Sequence, residues 1–340
     1  MATPPPSPSP RRARIAGAGH HLPDRVVTNA DLGPLLDTTD AWIRRRTGIE
    51  RRHFVDGTEG TADLAHKASL RALDDAGIGP DQIDLIIFAT LSPDVFFPGS
   101  GVLLGALLGI PGTPALDVRN QCTGFLYGLQ CADGMLRAGL YERILLVGAE
   151  VHSTGLDFSR EGRDIAVLFG DGAGAVVLEA AEDGSGVLRT ILGADGRHAE
   201  ALWCQAPSSR QFPLRITRDD LDHKRHFPAM QGRMVFKHAV VAMRDAVRAV
   251  AAAEGVALDE VDLFIPHQAN LRISELVQRE LGVPPERFFN NIARTGNTTA
   301  ATLPIAIDEC RRSGRLKAGD LLCTVAFGSG FTWGSSLIRI

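Results

Sequence analysis

The order of apolar and polar positions along the chain predicts an α/β protein. Residues 72–90, ALDDAGIGPDQIDLIIFAT, contain a helix end, a glycine turn and then a short apolar run typical of a buried strand. Residues 247–270, VRAVAAAEGVALDEVDLFIPHQAN, repeat this order. Alternation of helical stretches with short buried strands indicates sheets that are covered by helices.

A second pair of similar segments follows in the same order. LLVGAE (145–150) and LFGDGAGAVVLE (168–179) have a counterpart in LLCTVAFGSGFTWGSSLIRI (321–340). A Phe-Gly-x-Gly turn occurs in both, at Phe169–Gly172 and at Phe327–Gly330. Two pairs of similar segments in the same order predict an internally duplicated chain.

The polar, glycine-containing stretch EAAEDGSG (179–186) is the expected boundary between the two halves. We expect a first half over 13–182 that carries a candidate nucleophile, and a second half over 183–340. Residues 1–12 are rich in proline and serine and lack the apolar core of a secretory signal, which predicts a disordered tail.

Composition excludes several classes of function. The chain has 340 residues, 44% hydrophobic and 22% charged, with a formal net charge of −4, which argues against wholesale nucleic-acid binding. The longest apolar run, 101–110, is about half the length of a membrane span. The five cysteines form no CxxC pair, so we expect no disulfide framework and a cytoplasmic location.

Cys122 is the candidate nucleophile. It stands in RNQCTGFLYGL (119–129), between a predicted strand and a predicted helix. The N–H groups and dipole of a helix N-terminus favour a thiolate, so this position predicts a lowered thiol pKa. A buried structural cysteine is the alternative, and it is the preferred interpretation for the other four cysteines.

Two polar residues are candidate partners of the thiol. His267 follows the predicted strand VDLFIP, at the carboxyl end where ligands of α/β sheets gather. Asn297 lies in a loop, GNTTAAT, that leads into a helix. Each has a simpler structural interpretation. His267 could be a histidine whose ring nitrogens are hydrogen-bonded, and Asn297 could cap the N-terminus of the helix.

Other patterns carry less weight. His223 and His226 have no clear third metal ligand nearby, so no metal is expected. RIAGAGHHL (14–22) has Leu22 where a dinucleotide fingerprint needs its third glycine. The basic run RRRTGIERR (44–52) is either a solvated face or a binding site for phosphates or an acidic protein.

Taken together, the chain resembles the beta-ketoacyl-acyl-carrier-protein synthase III family of thiolase-fold condensing enzymes. The resemblance runs from about Ala13 to Ile340. It is carried by DTTDAWIRRRTGIERRH, QCTGF, GRDIAVLFGDGAGAVVLE, GRMVFKHAV, IPHQANLRI, GNTTAAT and AFGSGFTWGSSLIRI, which occur in family order. It implies a five-layer αβαβα fold built from two duplicated halves, and a homodimer.

The resemblance also implies a reaction. Cys122 would accept an acyl group from acyl-CoA, and His267 and Asn297 would complete the triad by stabilising the enolate formed when malonyl-acyl-carrier protein loses CO2. The backbone N–H groups of Cys122 and Ser329 would form the oxyanion hole. Acyl-CoA is a substrate here, and no separate cofactor is implied.

Further binding roles follow from the same resemblance. The residues matched to coenzyme A contacts are Thr38, Trp42, Arg46, Arg163, Gly232 and Phe236. Arg272 matches a basic residue that docks the carrier protein, and Phe97 matches a residue that reaches across the dimer into the partner's acyl pocket.

The chain departs from the family pattern at Arg119-Asn120-Gln121, at Ser329, at Arg233 and over 150–164. These departures leave the primer open, with longer or branched acyl groups and a secondary-metabolite pathway among the possibilities. The alternative activity is acyl transfer from Cys122 to an alcohol or amine. A papain-type hydrolase lacks its signature here, and a non-catalytic relative would be expected to lose the cysteine.

Overall fold

The computed structural model describes residues 11–340, so the predicted tail lies almost entirely outside the described residues. The strands are β1 Arg12–His21, β2 Val26–Thr28, β3 Arg51–His53, β4 Leu85–Ala89, β5 Ala115–Val118, β6 Arg143–Glu150, β7 Gly172–Ala181, β8 Gly186–Ala194, β9 Leu202–Cys204, β10 Pro228–Met230, β11 Leu263–Pro266, β12 Leu321–Gly328 and β13 Thr332–Arg339. The α-helices are α1 Asn29–Leu36, α2 Asp40–Thr47, α3 Thr61–Ala76, α4 Ser100–Leu107, α5 Gly124–Arg137, α6 Arg163–Ala166, α7 Arg218–Asp222, α8 Gly232–Ala253, α9 Leu271–Leu281, α10 Ile292–Thr295 and α11 Thr302–Arg312.

Two large sheets form the scaffold, and their strand orders correspond. The first sheet has the order β1-β7-β6-β4-β5, and the second, read from the other edge, has the order β8-β13-β12-β11. The first two pairs of each order are antiparallel, and the third pair (β6 with β4, β12 with β11) is parallel. The additional pair of the first sheet, β4 with β5, is also parallel. The edge strand β5 has no counterpart in the second sheet.

The central strands β4 and β12 are buried along their whole length because both of their faces are covered. All residues of β4 and β12 are buried. On one side of the first sheet lies α3, and on the outer side of the second lies α8. Each outer helix buries an apolar stripe at helical spacing against its sheet.

The layer between the two sheets is made by α5 and α11. Leu126 from α5 and Leu303 from α11 are fully buried in one cluster with residues from both sheets, such as Leu146 and Leu322. Truncating one of these leucines to alanine would cost about 2–5 kcal/mol of unfolding free energy. The predicted five-layer αβαβα fold is therefore confirmed, whereas the boundary at 182/183 stays a prediction.

The central layer is packed so closely that glycine is required in β6. A side chain at Gly148 would collide with the carbonyl oxygen of Ala300, which lies just before α11. This contact brings a loop of the second half against the first sheet.

The structure records all five cysteines as free thiols. Within residues 11–340, no helix combines the length and the apolar character needed to cross a bilayer.

Candidate active site

Cys122 lies at the start of the central helix α5. The chain leaves β5 at Val118 and forms a short 3-10 helix, Gln121–Thr123, before α5 begins. Gln121 has φ +45°, a left-handed conformation that is strained for a residue with a side chain. Thr123 holds this turn, because its Oγ1 donates to the Asn120 carbonyl at 2.9 Å. The predicted strand–cysteine–helix arrangement is confirmed.

The environment of the thiol opposes ionisation. Burial and, to a smaller extent, the negative charge of Glu150 raise the pKa of Cys122 to about 12. The backbone N–H groups of Cys122 and Ser329 act in the opposite direction and lower the pKa of the thiol, because an N–H dipole favours the thiolate. The lowered pKa expected from the helix N-terminus is therefore wrong, because burial outweighs the helix.

Glu150 is a buried acid at the end of β6. Its carboxylate accepts hydrogen bonds from Ser92 Oγ at 2.6 Å, from Thr90 Oγ1 at 3.1 Å and from the backbone N–H of Leu91. Burial raises its pKa to about 7, and these donors limit the rise. Close to neutral pH the carboxyl is thus poised between its two protonation states.

His267 follows β11 directly, as the sequence predicted, and its two ring nitrogens differ. Nδ1 is 2.7 Å from Thr302 Oγ1. Nε2 is buried, and no residue in 11–340 forms a hydrogen bond with it. Burial lowers the pKa of His267 to about 3, so the imidazole is neutral at physiological pH.

Asn297 is fixed by both its backbone and its side chain. Its N–H donates to the Leu168 carbonyl at 2.8 Å, and its carbonyl accepts from Gly170 N–H at 3.1 Å. Its side-chain Oδ1 accepts from Thr299 N–H at 2.8 Å. Because Oδ1 is occupied, the Nδ2 group is the donor that Asn297 can offer.

The three candidate catalytic residues line one cavity of about 690 Å³. This volume lies within the usual range for small-molecule sites. Gly328 lets the second half approach the nucleophile, since a Cβ built there would lie 2.8 Å from Cys122 Cβ. The cavity thus combines a cysteine from the first half with a histidine and an asparagine from the second.

The cavity also brings together most of the predicted coenzyme A contacts. It is lined by Trp42, Arg46, Gly232 and Phe236, together with the predicted carrier-docking residue Arg272. Arg233, where the family more often has a smaller polar residue, lines it too.

Two predicted coenzyme A contacts, Thr38 and Arg163, lie outside the cavity lining but next to Trp42. The guanidinium of Arg163 is 4.8 Å from the Trp42 ring centroid, and that of Arg46 is 4.5 Å away. Arg163 Nη1 also donates to the Asp37 carbonyl at 3.0 Å, which places it beside Thr38. Thr38 Oγ1 is buried and has no hydrogen-bond partner within 11–340.

The charge of the lining is predominantly positive. Arg46, Arg233 and Arg272 form no side-chain ion pair with any residue that the structure describes, whereas Asp164, the acid among the lining residues, lies 3.8 Å from Arg163. A cavity with unpaired guanidinium groups suits a substrate that carries phosphates.

Two further predicted site residues, Ser329 and Phe97, also lie outside the cavity lining. Ser329 contributes its backbone N–H to Cys122, while its hydroxyl donates to the Leu202 carbonyl. Phe97 is 79% exposed and packs edge-on against Phe96, which is itself 63% exposed.

Sequence reasoning missed three residues of the site. Glu150 stands at the end of a quoted strand, and Thr302 ends the quoted motif GNTTAAT, but neither position alone indicates chemistry. His152, whose Nε2 is 2.6 Å from Thr299 Oγ1, supports the loop that carries Asn297. A buried polar residue next to a candidate ligand is the signal that could have found them.

Comparison with known proteins assigns the family. The family model of the 3-oxoacyl-[acyl-carrier-protein] synthase III C terminal matches residues 251–340, and the model of 3-oxoacyl-[acyl-carrier-protein] synthase III matches residues 116–196. The beta-ketoacyl-[acyl-carrier-protein] synthase III of Xanthomonas campestris is 46% identical over 329 residues, which are 96% of this chain and 98% of that protein. The chain belongs to this family. The expected identity as a condensing enzyme of the synthase III type is confirmed.

Solved structures agree with that assignment. The crystal structure of 3-oxoacyl-[acyl-carrier-protein] synthase III from Aquifex aeolicus shares 40% identity at a TM-score of 0.88, covering 96% of this chain and all of that one. The priming beta-ketosynthase of the R1128 polyketide pathway shares 29% identity at a TM-score of 0.88, with 99% of each chain covered.

Proposed function

We propose that the protein transfers an acyl group from acyl-CoA to Cys122 and joins it to malonyl-acyl-carrier protein by decarboxylative Claisen condensation. The products are a β-ketoacyl carrier protein and CO2. The observation that carries this proposal is the convergence of Cys122, His267 and Asn297 on one cavity with a basic lining.

The first half-reaction forms the acyl-enzyme. Cys122 Sγ attacks the thioester carbonyl of acyl-CoA, the new C–S bond forms, and coenzyme A leaves as a thiol that takes the proton Cys122 gives up. The backbone N–H groups of Cys122 and Ser329 both lower the pKa of the Cys122 thiol, which supports assigning them to the oxyanion that forms on the adjacent carbon.

The second half-reaction forms the carbon–carbon bond. When malonyl loses CO2, the electron pair of the broken bond passes to the thioester and gives an enolate. The Nδ2 donor of Asn297 and a donor on His267 Nε2 would stabilise that charge. The enolate carbon then attacks the acyl-enzyme carbonyl and releases Cys122, which is reprotonated from solvent.

The basic lining supports the assignment of both substrates. Coenzyme A and the phosphopantetheine arm of a carrier protein each bring phosphate to the cavity, and Arg46, Arg233 and Arg272 carry free guanidinium groups there. We assign Trp42, Thr38 and Arg163 to the nucleotide end, and Gly232 and Phe236 to the pantetheine. Arg272 is assigned to carrier-protein docking. No resident metal or cofactor is part of the proposed reaction.

A second copy of the chain is the proposed partner at the Phe97 face. Phe96, Phe97 and Leu116 are exposed there, and Leu116 belongs to β5, an edge strand of the first sheet. An exposed apolar edge strand is normally covered, and pairing with a second copy would cover it. We assign Phe97 to the acyl pocket of the partner copy. A cytoplasmic location stays a prediction.

The test is a mass-spectrometric assay of the purified protein. Acyl-CoAs of increasing chain length and branching are offered with and without malonyl carrier protein, and both the adduct on Cys122 and the released product are measured. A β-ketoacyl carrier product with a preferred primer is expected. An acyl-Cys122 that forms but transfers only to an alcohol or amine would replace condensation by the alternative acyltransferase activity.

A further inference from the structure

The hydroxyl of Thr302 lies between two groups that can each accept its proton. Thr302 is 2% exposed and is the first residue of α11. Its Oγ1 is 2.7 Å from His267 Nδ1 and 2.9 Å from the carbonyl oxygen of Thr299. A threonine hydroxyl has a single proton, so it donates to only one of them at a time.

The two arrangements give His267 different tautomers. When Thr302 donates to the Thr299 carbonyl, it accepts from Nδ1–H, and the neutral imidazole carries a lone pair on Nε2. When Thr302 donates to Nδ1, the ring proton must be on Nε2. No residue within 11–340 bonds to Nε2, so Thr302 is the protein contact through which the tautomer is set.

Neither arrangement leaves Thr302 Oγ1, His267 Nδ1 or the Thr299 carbonyl oxygen without a partner. The carbonyl oxygen of Thr299 also accepts the backbone N–H of Thr302, and it retains that bond when the hydroxyl turns away. Thr302 Oγ1 stays hydrogen-bonded to Nδ1 in both cases. For these three atoms, the usual cost of an unpaired buried polar group is therefore absent from both arrangements.

The two half-reactions of the proposed function require opposite tautomers, and this inference rests on that function. During acylation, Cys122 must lose its proton, and a lone pair on Nε2 is the acceptor that the second half offers. During decarboxylation, the enolate oxygen needs a donor, which Nε2–H supplies.

We propose that Thr302 is a positioning residue that switches His267 between these two tautomers. In acylation, Nε2 takes the Cys122 proton and passes it to the departing coenzyme A sulfur, which returns the ring to its starting state. In condensation, Thr302 donates to Nδ1, and Nε2–H faces the enolate. The proton count of His267 is the same before and after each half-reaction.

Replacement of Thr302 by valine separates the two roles. Valine keeps the shape of threonine but cannot bond to Nδ1. With no acceptor left beside Nδ1, we expect His267 to keep its proton on Nε2, where an oxygen of the bound thioester substrate can accept it. We expect acylation of Cys122 to slow roughly ten- to hundredfold, and decarboxylation of malonyl carrier protein to change by less than about threefold.

Thr302→Ser retains the hydroxyl and is the matched control, with both rates expected near those of the wild-type protein. Equal losses of the two rates in Thr302→Val, or no loss in either, would overturn the proposal. Thermal unfolding of both variants checks that the packing of α11 survives.

The tautomer of His267 can also be measured directly, without a variant at Thr302. Nitrogen-15 NMR of histidine-labelled protein, with the His267 signal identified by its loss in His267→Gln, reports which ring nitrogen carries the proton. We expect protonated Nδ1 in the resting protein, and protonated Nε2 once a malonyl thioester analogue that cannot lose CO2 is bound. The same tautomer in both states would refute the switch even if the enzyme condenses normally. A wild-type protein that forms no acyl-Cys122 with any acyl-CoA would instead refute the proposed function.

Discussion

The two halves of the molecule share a strand order but place different chemistry at equivalent points. At the end of β4 the first half has Thr90 and Ser92, whose hydroxyls bind Glu150, whereas at the end of β11 the second half has His267. The central helix of the first half starts two residues after Cys122, and that of the second starts five residues after Asn297. The comparison shows that one strand order can carry different chemistry: the residues at matching ends decide which half supplies the nucleophile and which supplies the hydrogen-bond donors.

Removal of Cys122, the nucleophile that the first half supplies, should have the largest effect on activity. We predict that Cys122→Ala abolishes both acylation and condensation, because no other group at the cavity can carry the acyl chain. Intact-mass measurement after incubation with acyl-CoA tests this. Cys131→Ala, an exposed cysteine on the same helix, is the control and should acylate normally. An acyl adduct on the Cys122→Ala protein would contradict the assignment.

Removal of the second half's donor should act on one half-reaction only. We predict that Asn297→Ala lowers the rate of condensation by about 10²–10³, since one donor to a developing negative charge is lost. Acylation of Cys122 should stay within a fewfold of wild type. Rapid-quench measurement of each half-reaction makes the distinction, and parallel losses in both would show that Asn297 mainly holds the loop in place.

Replacement of Arg46, which lines the cavity, should weaken the binding of acyl-CoA. We predict that Arg46→Ala raises KM for acyl-CoA by roughly tenfold, the size of a lost charge-assisted contact to phosphate. An acyl-pantetheine thioester, which has no phosphate, should be used equally well by both proteins. Arg45→Ala is the control, because Arg45 lies on the same helix and is absent from the cavity lining. A similar rise in KM for both substrates would argue against phosphate recognition.

Buried histidines in both halves should make the stability depend on pH. Burial lowers the pKa of His21 to about 4 and the pKa values of His152 and His267 to about 3, against 6.5 for the unfolded chain. Between these values the unfolded chain binds more protons, so the free energy of unfolding falls on acidification below pH 6.5. By pH 5 we expect a loss of about 2 kcal/mol for each histidine.

Denaturant unfolding between pH 7.5 and 5 measures this loss. Replacing His152 by glutamine should make the dependence on pH shallower. An unchanged slope in that variant would mean that His152 is protonated in the folded protein as well.

Local features of the fold and site could be predicted from the sequence, whereas features that depend on distant contacts could not. The turn at Gly77 and the strand β4 follow from a few adjacent residues, and so does the position of Cys122 before α5. The ionisation of Cys122 does not, because its thiol is buried by the second half and lies near Glu150, which is 28 residues further along the chain. The start of α5 indicated the correct position for Cys122 but predicted a lowered thiol pKa, whereas burial raises it.

The same reasoning applies to His267. Its place at the end of β11 could be predicted from one segment, yet its tautomer depends on Thr302, which the chain brings back from 35 residues away. The proposed role of Phe97 depends on a second copy of the chain. Its position within a single chain therefore does not indicate that role.

The contact between Gly148 and Ala300 restricts how the gene can be divided. Because the loop before α11 rests on the backbone of β6, the active centre exists only when both sheets have already met. Two polypeptides separated at the boundary between the halves would each lack a working centre. Activity on mixing them would therefore report reassembly of the central layer, which would make the enzyme a sensor for association of proteins fused to the two fragments.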